Sequence, residues 1–265
     1  MPRQRRQLSK TKTYHIMIRG NQRQNIFLDE EDKTEFIEIL KKKKVHQEYL
    51  LYAYCLMNNH VHLLLQEDQN ELSSIMKKIN VSYVYYFNRK HLRIGHLFQD
   101  RFKSEAIEKE NYLLATISYI HNNPVQAQIV KNPTDYQWSS YNQYVNPEET
   151  DFSLIIERTK VLSLFSSNEK RAIQLFIEYH TEPKQEHFLE YPKEEIKNLL
   201  NEKETKQLIS QYLIQNNLSL ENLREKIYKN TRKELIRKLK EKSNLSTRKI
   251  ATILRLNANI VQRIK

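Results

Sequence analysis

Two histidines separated by one valine, His60 and His62, stand in the apolar stretch CLMNNHVHLLL. Side chains alternate across a β-strand, so the two imidazoles would point the same way, about 6.6 Å apart along the chain. Val61, Leu63 and Leu65 would then point into the opposite layer. Two neutral imidazoles on one face can bind a divalent cation. An isolated pair of this kind is more often two polar residues on a solvent face, so other residues must support a site.

A tyrosine and an asparagine in the stretch SYIHNNPV are candidates for that support. Tyr119 and Asn123 are four residues apart and would share one face of a helix. A phenolate held beside a metal ion suits attack on a phosphodiester, and a covalent tyrosyl intermediate would allow rejoining without ATP. Taken alone, Tyr119 is one of 16 tyrosines and could be a core residue. Because Pro124 disfavours helical geometry at the preceding residue, Asn122 or His121 remain alternatives to Asn123.

The histidines need a sheet and the tyrosine needs a helix, and local patterns predict both. Alternating β-branched runs predict strands, whereas acidic starts with basic ends predict helices. In chain order we expect a strand at 13–20, a helix at 29–48, strands at 49–57 and 60–67 joined by Asn58-Asn59, a helix from 70 to about 90, a strand at 96–108, and a helix at 111–123 that stops near Pro124. The order βαββαβα predicts an α+β fold of the ferredoxin-like, split β-α-β kind.

Composition excludes several functional classes. The chain has only 2 glycines, so glycine-dependent phosphate loops cannot be built. One cysteine excludes an intramolecular disulfide framework and a cysteine-based zinc cluster. The basic N-terminus is followed by no apolar segment, and no long apolar run occurs elsewhere, so we expect a soluble cytoplasmic protein.

The net charge of +12 suits a polyanionic partner, and it is concentrated at the two ends of the chain. Residues 224–265 alone carry a net charge of +11, and residues 1–13 add five basic side chains. Both ends therefore look like nucleic-acid contacts around a more neutral body. The alternative is that the lysine-rich tail serves only solubility.

Four stretches in this order resemble one known family. YHIMIRGNQRQNIF, CLMNNHVHLLL, HLFQDRFKSE and YIHNNPV, followed by DYQWSSYNQY, are similar to the single-tyrosine transposases of the histidine-hydrophobe-histidine (HUH) endonuclease superfamily, and among them to the REP-associated tyrosine transposases. The resemblance covers residues 14 to about 145 and continues more weakly to about 180.

The resemblance implies a fold, a reaction and a set of site residues. It implies a ferredoxin-like antiparallel sheet with helices on one face, and cleavage of single-stranded DNA that leaves a 5′-phosphotyrosine and a free 3′-hydroxyl. A Mg²⁺ or Mn²⁺ ion would assist. Carried over by position, His60 and His62 are metal ligands, Tyr119 is the nucleophile and Asn123 is the third ligand.

The resemblance also implies a substrate, a palindromic DNA hairpin with single-stranded DNA beside its stem. Basic residues near the expected site are candidates for phosphate contacts, which position a strand without reading bases. In this chain they are Arg3, Arg5, Arg6, Arg19, Arg23, Arg101 and Lys103. Each could equally be an ordinary surface charge. In the second long helix, Tyr83, Tyr85, Tyr86 and Phe87 could stack on bases, but we expect at least half of them in the core.

The C-terminal part departs from short transposases of this kind. Tyr191-Pro192 and the polar run around Glu202 suggest a linker, so we divide the chain into a nuclease domain at 1–145, a helical extension and linker at 146–230 and a DNA-binding module at 231–265. In the last segment, Ser246 is a candidate N-cap and Arg255 stands where many helix-turn-helix motifs have glycine. The segment is similar to the helix-turn-helix of the replication initiator DnaA, which would turn Asn259, Gln262 and Arg263 toward the major groove of a duplex.

These observations favour an enzyme, a DNA transposase that cleaves and rejoins hairpin-flanked single strands. The alternative is a catalytically inactive, domesticated DNA-binding regulator on the same fold. A zinc hydrolase fits poorly, because two histidines without a Glu-containing helix motif do not make its site. We expect no membrane partner, and a monomer or a homodimer.

Overall fold

A computed structural model describes residues 7–44, 49–149, 155–182, 188–189, 200, 202–225, 227–243 and 245–264. The chain divides into two compact units, Met1–Glu190 and Tyr191–Lys265. Each unit has its own cluster of buried apolar side chains.

One antiparallel sheet organises the first unit. Its strands are Thr13–Arg19 (β1), Tyr49–Met57 (β2), His60–Glu67 (β3) and Lys103–Ile107 (β4), in the order β2-β3-β1-β4. The two central strands, β1 and β3, are flanked by β2, the first strand of the hairpin, and by β4. This order is that of a ferredoxin-like sheet, so the predicted fold class is confirmed.

The strand register sorts the side chains into two faces. His62 lies opposite Met17 of β1 and Cys55 of β2, so these residues share one face, which we call the histidine face. Val61, Leu63 and Leu65 point to the other face and are wholly buried, as predicted. Cys55 is also wholly buried, and burial raises the pKa of its thiol.

Two long helices lie on the face opposite the histidines. They are Glu30–Lys44 (α1) and Leu72–Lys90 (α2). Tyr49, on that face of β2, donates a hydrogen bond to the Leu40 carbonyl of α1, and the two helices pack against each other. In α2, Tyr83 and Phe87 are wholly buried, whereas Tyr85 is exposed. The expectation of helices on one face therefore holds for α1 and α2.

The third helix, Glu110–Gln126 (α3), lies on the histidine face instead. It runs through Pro124, so the prediction that it stops there is wrong. Pro124 cannot donate to the Ile120 carbonyl, but the last turn keeps its other bonds, with Ala127 N–H donating to the Asn123 carbonyl. Asn123 consequently lies within the helix, one turn beyond Tyr119.

The fourth strand is shorter than predicted. We expected strand over 96–108, but β4 begins at Lys103. The preceding backbone pairs with the turn after β1, since the Leu97 carbonyl accepts hydrogen bonds from Asn21 N–H and from the Gln24 side chain. Gly20 stands in that turn, where a Cβ would come within 2.1 Å of the Gln24 carbonyl oxygen.

The remaining helices divide between the two units. Tyr141–Val145 (α4), Arg158–Leu162 (α5) and Glu169–Thr181 (α6) pack into the core of the first unit. Glu202–Gln215 (α7), Lys229–Lys242 (α8), Thr247–Ile253 (α9) and Ala258–Arg263 (α10) form the second unit. The run around Glu202 is thus the start of a helix and not a linker, while Tyr191-Pro192 lies outside the described residues. In the described part of the chain, none of the helices combines the length and apolar character needed to cross a membrane.

Candidate active site

The two histidines of the predicted metal clamp lie side by side at the start of β3. Their ring centroids are 5.1 Å apart. His60 Nδ1 lies 2.7 Å from the side-chain oxygen of Asn59, which can only accept. The proton of this imidazole is therefore on Nδ1, and Nε2 carries a lone pair.

That lone pair faces the third predicted ligand. His60 Nε2 and Asn123 Oδ1 are 3.5 Å apart. Both atoms are acceptors, and two acceptors that face each other attract a cation or a proton. Because imidazole nitrogens and amide oxygens are both ligands for divalent metals, the residues present fit a bound Mg²⁺ or Mn²⁺ ion.

The two alternatives to Asn123 point elsewhere. His121 is buried and bonded to Ser140 Oγ at 2.8 Å and to His180 at 3.0 Å. Asn122 donates to the Ser118 carbonyl in its own helix and to the His180 carbonyl. Of the three consecutive residues, Asn123 is the one that the helix turns toward His60.

Tyr119 lies on the same face as the histidines. Its ring centroid is 5.7 Å from that of His62, with the rings nearly perpendicular. Its other face is covered by Phe188, whose ring stacks on it at 4.4 Å. Only 6% of Tyr119 is exposed. The structure thus brings the phenol and both imidazoles together, beneath an aromatic cover.

Burial keeps both imidazoles neutral. It lowers the pKa of His60 to about 4. The hydrogen bond that only a protonated ring could donate to Asn123 raises this pKa, and the nearby positive charge of Arg19 lowers it. Burial lowers the pKa of His62 well below 6.5, with smaller effects from His60 and His15. At neutral pH both residues therefore offer lone pairs, which is the form that binds metal.

Two residues that the sequence analysis did not single out adjoin the site. His15 Nε2 lies 3.0 Å from His62 Nδ1, and Glu105 Oε2 lies 3.7 Å from His15 Nδ1. Burial would raise the pKa of Glu105, but His15 and a hydrogen bond from Tyr112 lower it overall, so the carboxyl group is ionised. His15 stands in the quoted stretch YHIMIRG, but its partners follow only from the strand register.

The predicted phosphate-contact residues are found in different places. Arg19 pairs in register with His60, and Lys103 pairs with Met17, so both lie on the histidine face. Arg23 follows β1 in a short turn, and Arg101 is exposed just before β4. Arg3, Arg5 and Arg6 lie outside the described residues.

In the second unit, α9 and α10 are joined by a tight turn. Ser246 caps α9 by accepting a hydrogen bond from Lys249 N–H, as predicted. Arg255 has φ +51°, the left-handed conformation that favours glycine. The exposed side chains of α10 include Asn259, Gln262 and Arg263.

Asp29, Asp32 and His91 are close enough together to bind a metal ion, but their contacts give them a structural role. Asp29 caps α1 by accepting from Asp32 N–H, and Asp32 accepts from Leu28 N–H. Lys90 places its ammonium 2.7 Å from Asp29 and 3.1 Å from Asp32. The lysine already supplies the positive charge, and the group fastens the start of α1 to the end of α2.

Part of the chain is similar to one known family of proteins. Residues 9–123 match the family described as "Transposase IS200 like". The matched segment contains the whole sheet and ends at Asn123, so it includes both histidines and Tyr119. The chain is therefore similar to transposases of this class across its sheet and most of helix α3.

Individual relatives and solved structures are also similar to parts of the chain. A Haemophilus influenzae protein named as a REP-associated tyrosine transposase is 26% identical over 129 residues, which is 43% of this chain and 72% of the relative. A solved REP-associated tyrosine transposase bound to a REP hairpin aligns at 19% identity with a TM-score of 0.48, over 60% of this chain and 93% of that one. A Deinococcus radiodurans transposase aligns at 22% identity with a TM-score of 0.33, over 46% of this chain and 97% of that one. The resemblance to REP-associated tyrosine transposases is confirmed, whereas the resemblance of α9 and α10 to DnaA stays a prediction.

Proposed function

We propose that this protein is a metal-dependent transposase that cuts and rejoins single-stranded DNA beside a palindromic hairpin. The observation that carries the proposal is the convergence of His60, His62, Asn123 and Tyr119 on one face of the sheet. The class of the matched relatives supports the same reaction. Arg19 and Lys103 flank these residues and are the proposed phosphate contacts.

His60, His62 and Asn123 would hold a Mg²⁺ or Mn²⁺ ion. When bound, the ion would draw negative charge from the phosphoryl oxygens of the scissile phosphate. The protein supplies the ligands already deprotonated, because burial keeps both imidazoles neutral. It also fixes the ring of His60, through the hydrogen bond from Nδ1 to Asn59.

Tyr119 is the proposed nucleophile. Its phenolic oxygen, after loss of the proton to solvent, bonds to the scissile phosphorus, and the bond from phosphorus to the 3′-oxygen breaks. The departing oxygen takes up a proton and becomes a free 3′-hydroxyl, while the 5′-phosphate stays on the tyrosine. Attack by another 3′-hydroxyl reverses these steps and joins the strands.

A catalytically inactive DNA-binding regulator is the second candidate. It is favoured by the cover on Tyr119, since Phe188 stacks on the ring and leaves 6% of the residue exposed. DNA could reach the phenol only after Phe188 moves aside. If the cover stays in place, the fold would bind DNA without cutting it.

A covalent-adduct assay separates the two candidates. The full chain is incubated with palindromic single-stranded oligonucleotides and Mn²⁺, and SDS-stable protein–DNA adducts are measured on a gel. We expect an adduct in the wild type, none with Tyr119→Phe, and a reduction of at least about 100-fold with His60→Ala or His62→Ala. Tyr85→Phe, on the exposed side of α2, is the matched control and should retain full activity.

Each contrary outcome has a definite meaning. An adduct that persists in Tyr119→Phe would assign the nucleophile to another residue. DNA binding without an adduct on any hairpin substrate would favour the regulator.

The three-part division of the chain and its partners are also proposals. Residues 1–145 would act as the nuclease, 146–230 as an extension and 231–265 as an additional anchor on duplex DNA. The basic charge of the last segment supports this role. The proposed working form is a monomer or a homodimer.

A further inference from the structure

We propose that His15 and Glu105 are positioning residues, which set the tautomer of His62 so that its Nε2 lone pair points away from His15 and is available to a metal ion. The inference rests on the proposed metal site. It concerns a second layer of side chains behind the ligands, contributed by β1 and β4.

The first step is the contact between two imidazoles. His62 Nδ1 and His15 Nε2 are 3.0 Å apart and both rings are buried, so one nitrogen must donate and the other accept. The rings are inclined by 25° with centroids 5.3 Å apart. The contact by itself is symmetric, because either neutral imidazole can carry the shared proton.

The second step breaks this symmetry. His15 Nδ1 is buried and has no hydrogen-bond partner among the residues that the structure describes. The nearest charged oxygen is Glu105 Oε2, at 3.7 Å. A carboxylate oxygen favours a proton on the nitrogen facing it, so the proton of His15 lies on Nδ1 and its Nε2 is an acceptor.

The third step follows from the first two. If His15 Nε2 accepts, His62 Nδ1 must donate, and His62 Nε2 is left unprotonated. In the opposite tautomer His62 Nε2 would carry a proton, where a metal ion needs a lone pair. That tautomer would also leave a bare nitrogen of His15 facing the carboxylate, with two acceptors opposed.

Glu105 is itself held in place. Its Oε2 accepts a hydrogen bond from Leu189 N–H at 3.2 Å, and Tyr112 of α3 also bonds to it. Leu189 directly follows Phe188, the residue stacked on Tyr119. The carboxylate is thus fixed from α3 and from the short segment that covers the nucleophile.

Carboxylates that orient metal-binding histidines are frequent in metalloproteins, and their loss typically weakens metal binding about 10–100-fold. Here one extra imidazole stands between the carboxylate and the ligand. Asn59 performs the corresponding task for His60 with a single hydrogen bond. Both ligands would then present Nε2 to the same point.

The test has one readout on the metal-free protein and one on metal binding. Long-range ¹H–¹⁵N spectra of the full chain distinguish the two histidine tautomers. We expect the Nδ1–H form for both His15 and His62. A His62 ring protonated on Nε2 would overturn the inference.

Metal affinity is then measured by Mn²⁺ titration followed by electron paramagnetic resonance. His15→Leu removes the acceptor and should weaken Mn²⁺ binding about 10–100-fold. His15→Gln places an amide oxygen near the position of Nε2, and should restore affinity to within a few fold. His121→Leu disrupts the other buried imidazole pair, and should leave Mn²⁺ affinity unchanged. Circular dichroism verifies that each variant is folded.

The outcomes separate this inference from the proposed function. If the wild type binds no Mn²⁺, the metal site and the inference both fail. If the wild type binds Mn²⁺ but His15→Leu binds it equally well, only the inference fails. Equal losses in His15→Leu and His15→Gln would show a packing role and would also overturn it.

Discussion

At the scale of single residues, a second pair of buried histidines has its protons fixed by neighbours. His180 Nδ1 lies 2.7 Å from the Phe176 carbonyl and must donate to it, so His180 Nε2 accepts from His121 Nδ1. His121 Nε2 then accepts from the Ser140 hydroxyl. Neither ring has room for a second proton without breaking one of these bonds.

Because His121 is buried in this pair, we expect the folded protein to be less stable in mild acid. Burial lowers the pKa of His121 well below 6.5, with a further effect from His180, so the folded protein resists a proton that the unfolded chain accepts. Above pH 6.5 the stabilisation is fully present. As the pH falls below 6.5, the free energy of unfolding should drop, by roughly 1 kcal/mol per pH unit for one histidine such as His121.

The measurement is urea unfolding between pH 7.5 and 5. His121→Asn keeps a donor toward His180 but cannot be protonated, so its stability should be lower at pH 7.5 and decline less steeply in acid. His15 and His62 contribute to the remaining slope, since burial lowers the pKa of each of them. Parallel slopes in wild type and variant would contradict the explanation.

The residues of the site were predictable to different degrees. His60 and His62 follow from strand alternation, and Tyr119 with Asn123 follows from helical spacing. His15 and Glu105 were missed because they meet His62 through the pairing of three strands, and pairing register is not encoded in any local pattern. The available signal was a histidine inside a predicted strand, two residues before Met17 and therefore on the same face as that apolar side chain.

At the scale of elements, local sequence predicted the hairpin to the residue. Tyr49–Met57 and His60–Glu67 have the expected bounds, because alternation and the Asn58-Asn59 turn agree. The end of α3 and the start of β4 were misplaced for non-local reasons. The helix α3 continues through Pro124, which is buried against the core. The backbone before β4 bonds to the turn at Gly20 and so is not part of the strand.

The turn between α9 and α10 provides a prediction at this scale. Arg255 adopts φ +51°, while Leu256 N–H bonds to the Ala251 carbonyl and Arg255 N–H to the Thr252 carbonyl, which together form a Schellman motif. A non-glycine residue in this conformation is strained by about 1–2 kcal/mol. Arg255→Gly should therefore stabilise the second unit by about 1 kcal/mol.

Two spectroscopic signals make this measurable in the full chain. The single tryptophan, Trp138, belongs to the first unit, so its fluorescence should be unaffected by Arg255→Gly, while the circular dichroism transition of the second unit should move to higher urea. Arg248→Gly makes the same replacement inside α9, and should destabilise by about 1 kcal/mol. Shifts of the same sign in both variants would refute the argument from φ.

At the scale of the whole molecule, the two units differ in charge and in core. The first unit holds the sheet and the candidate active site, and the second carries most of the excess positive charge. Composition predicted that asymmetry. It did not predict that α5 and α6 belong to the first core, since a five-residue and a thirteen-residue helix with polar connections look independent in sequence.

The charged tail should contribute to duplex binding. Gln262→Ala combined with Arg263→Ala should weaken binding to a blunt DNA duplex and reduce the dependence of log affinity on log salt by about 1. Lys203→Ala removes one charge from the exposed side of α7 and is the matched control. Fluorescence anisotropy at several salt concentrations measures both effects. Equal changes in the two variants would indicate general electrostatic attraction without a defined contact by α10.

The lone cysteine, Cys55, is sealed inside the sheet, and burial holds its thiol in the protonated form. Maleimide dyes and spin labels react with accessible thiolates, so the native protein should stay unmodified under ordinary labelling conditions. Cysteines introduced at exposed positions such as Tyr85 in one unit and Gln262 in the other would then be the only reactive sites, without any change to the natural thiol. Distances between such probes could then be compared in the free protein and after addition of hairpin DNA.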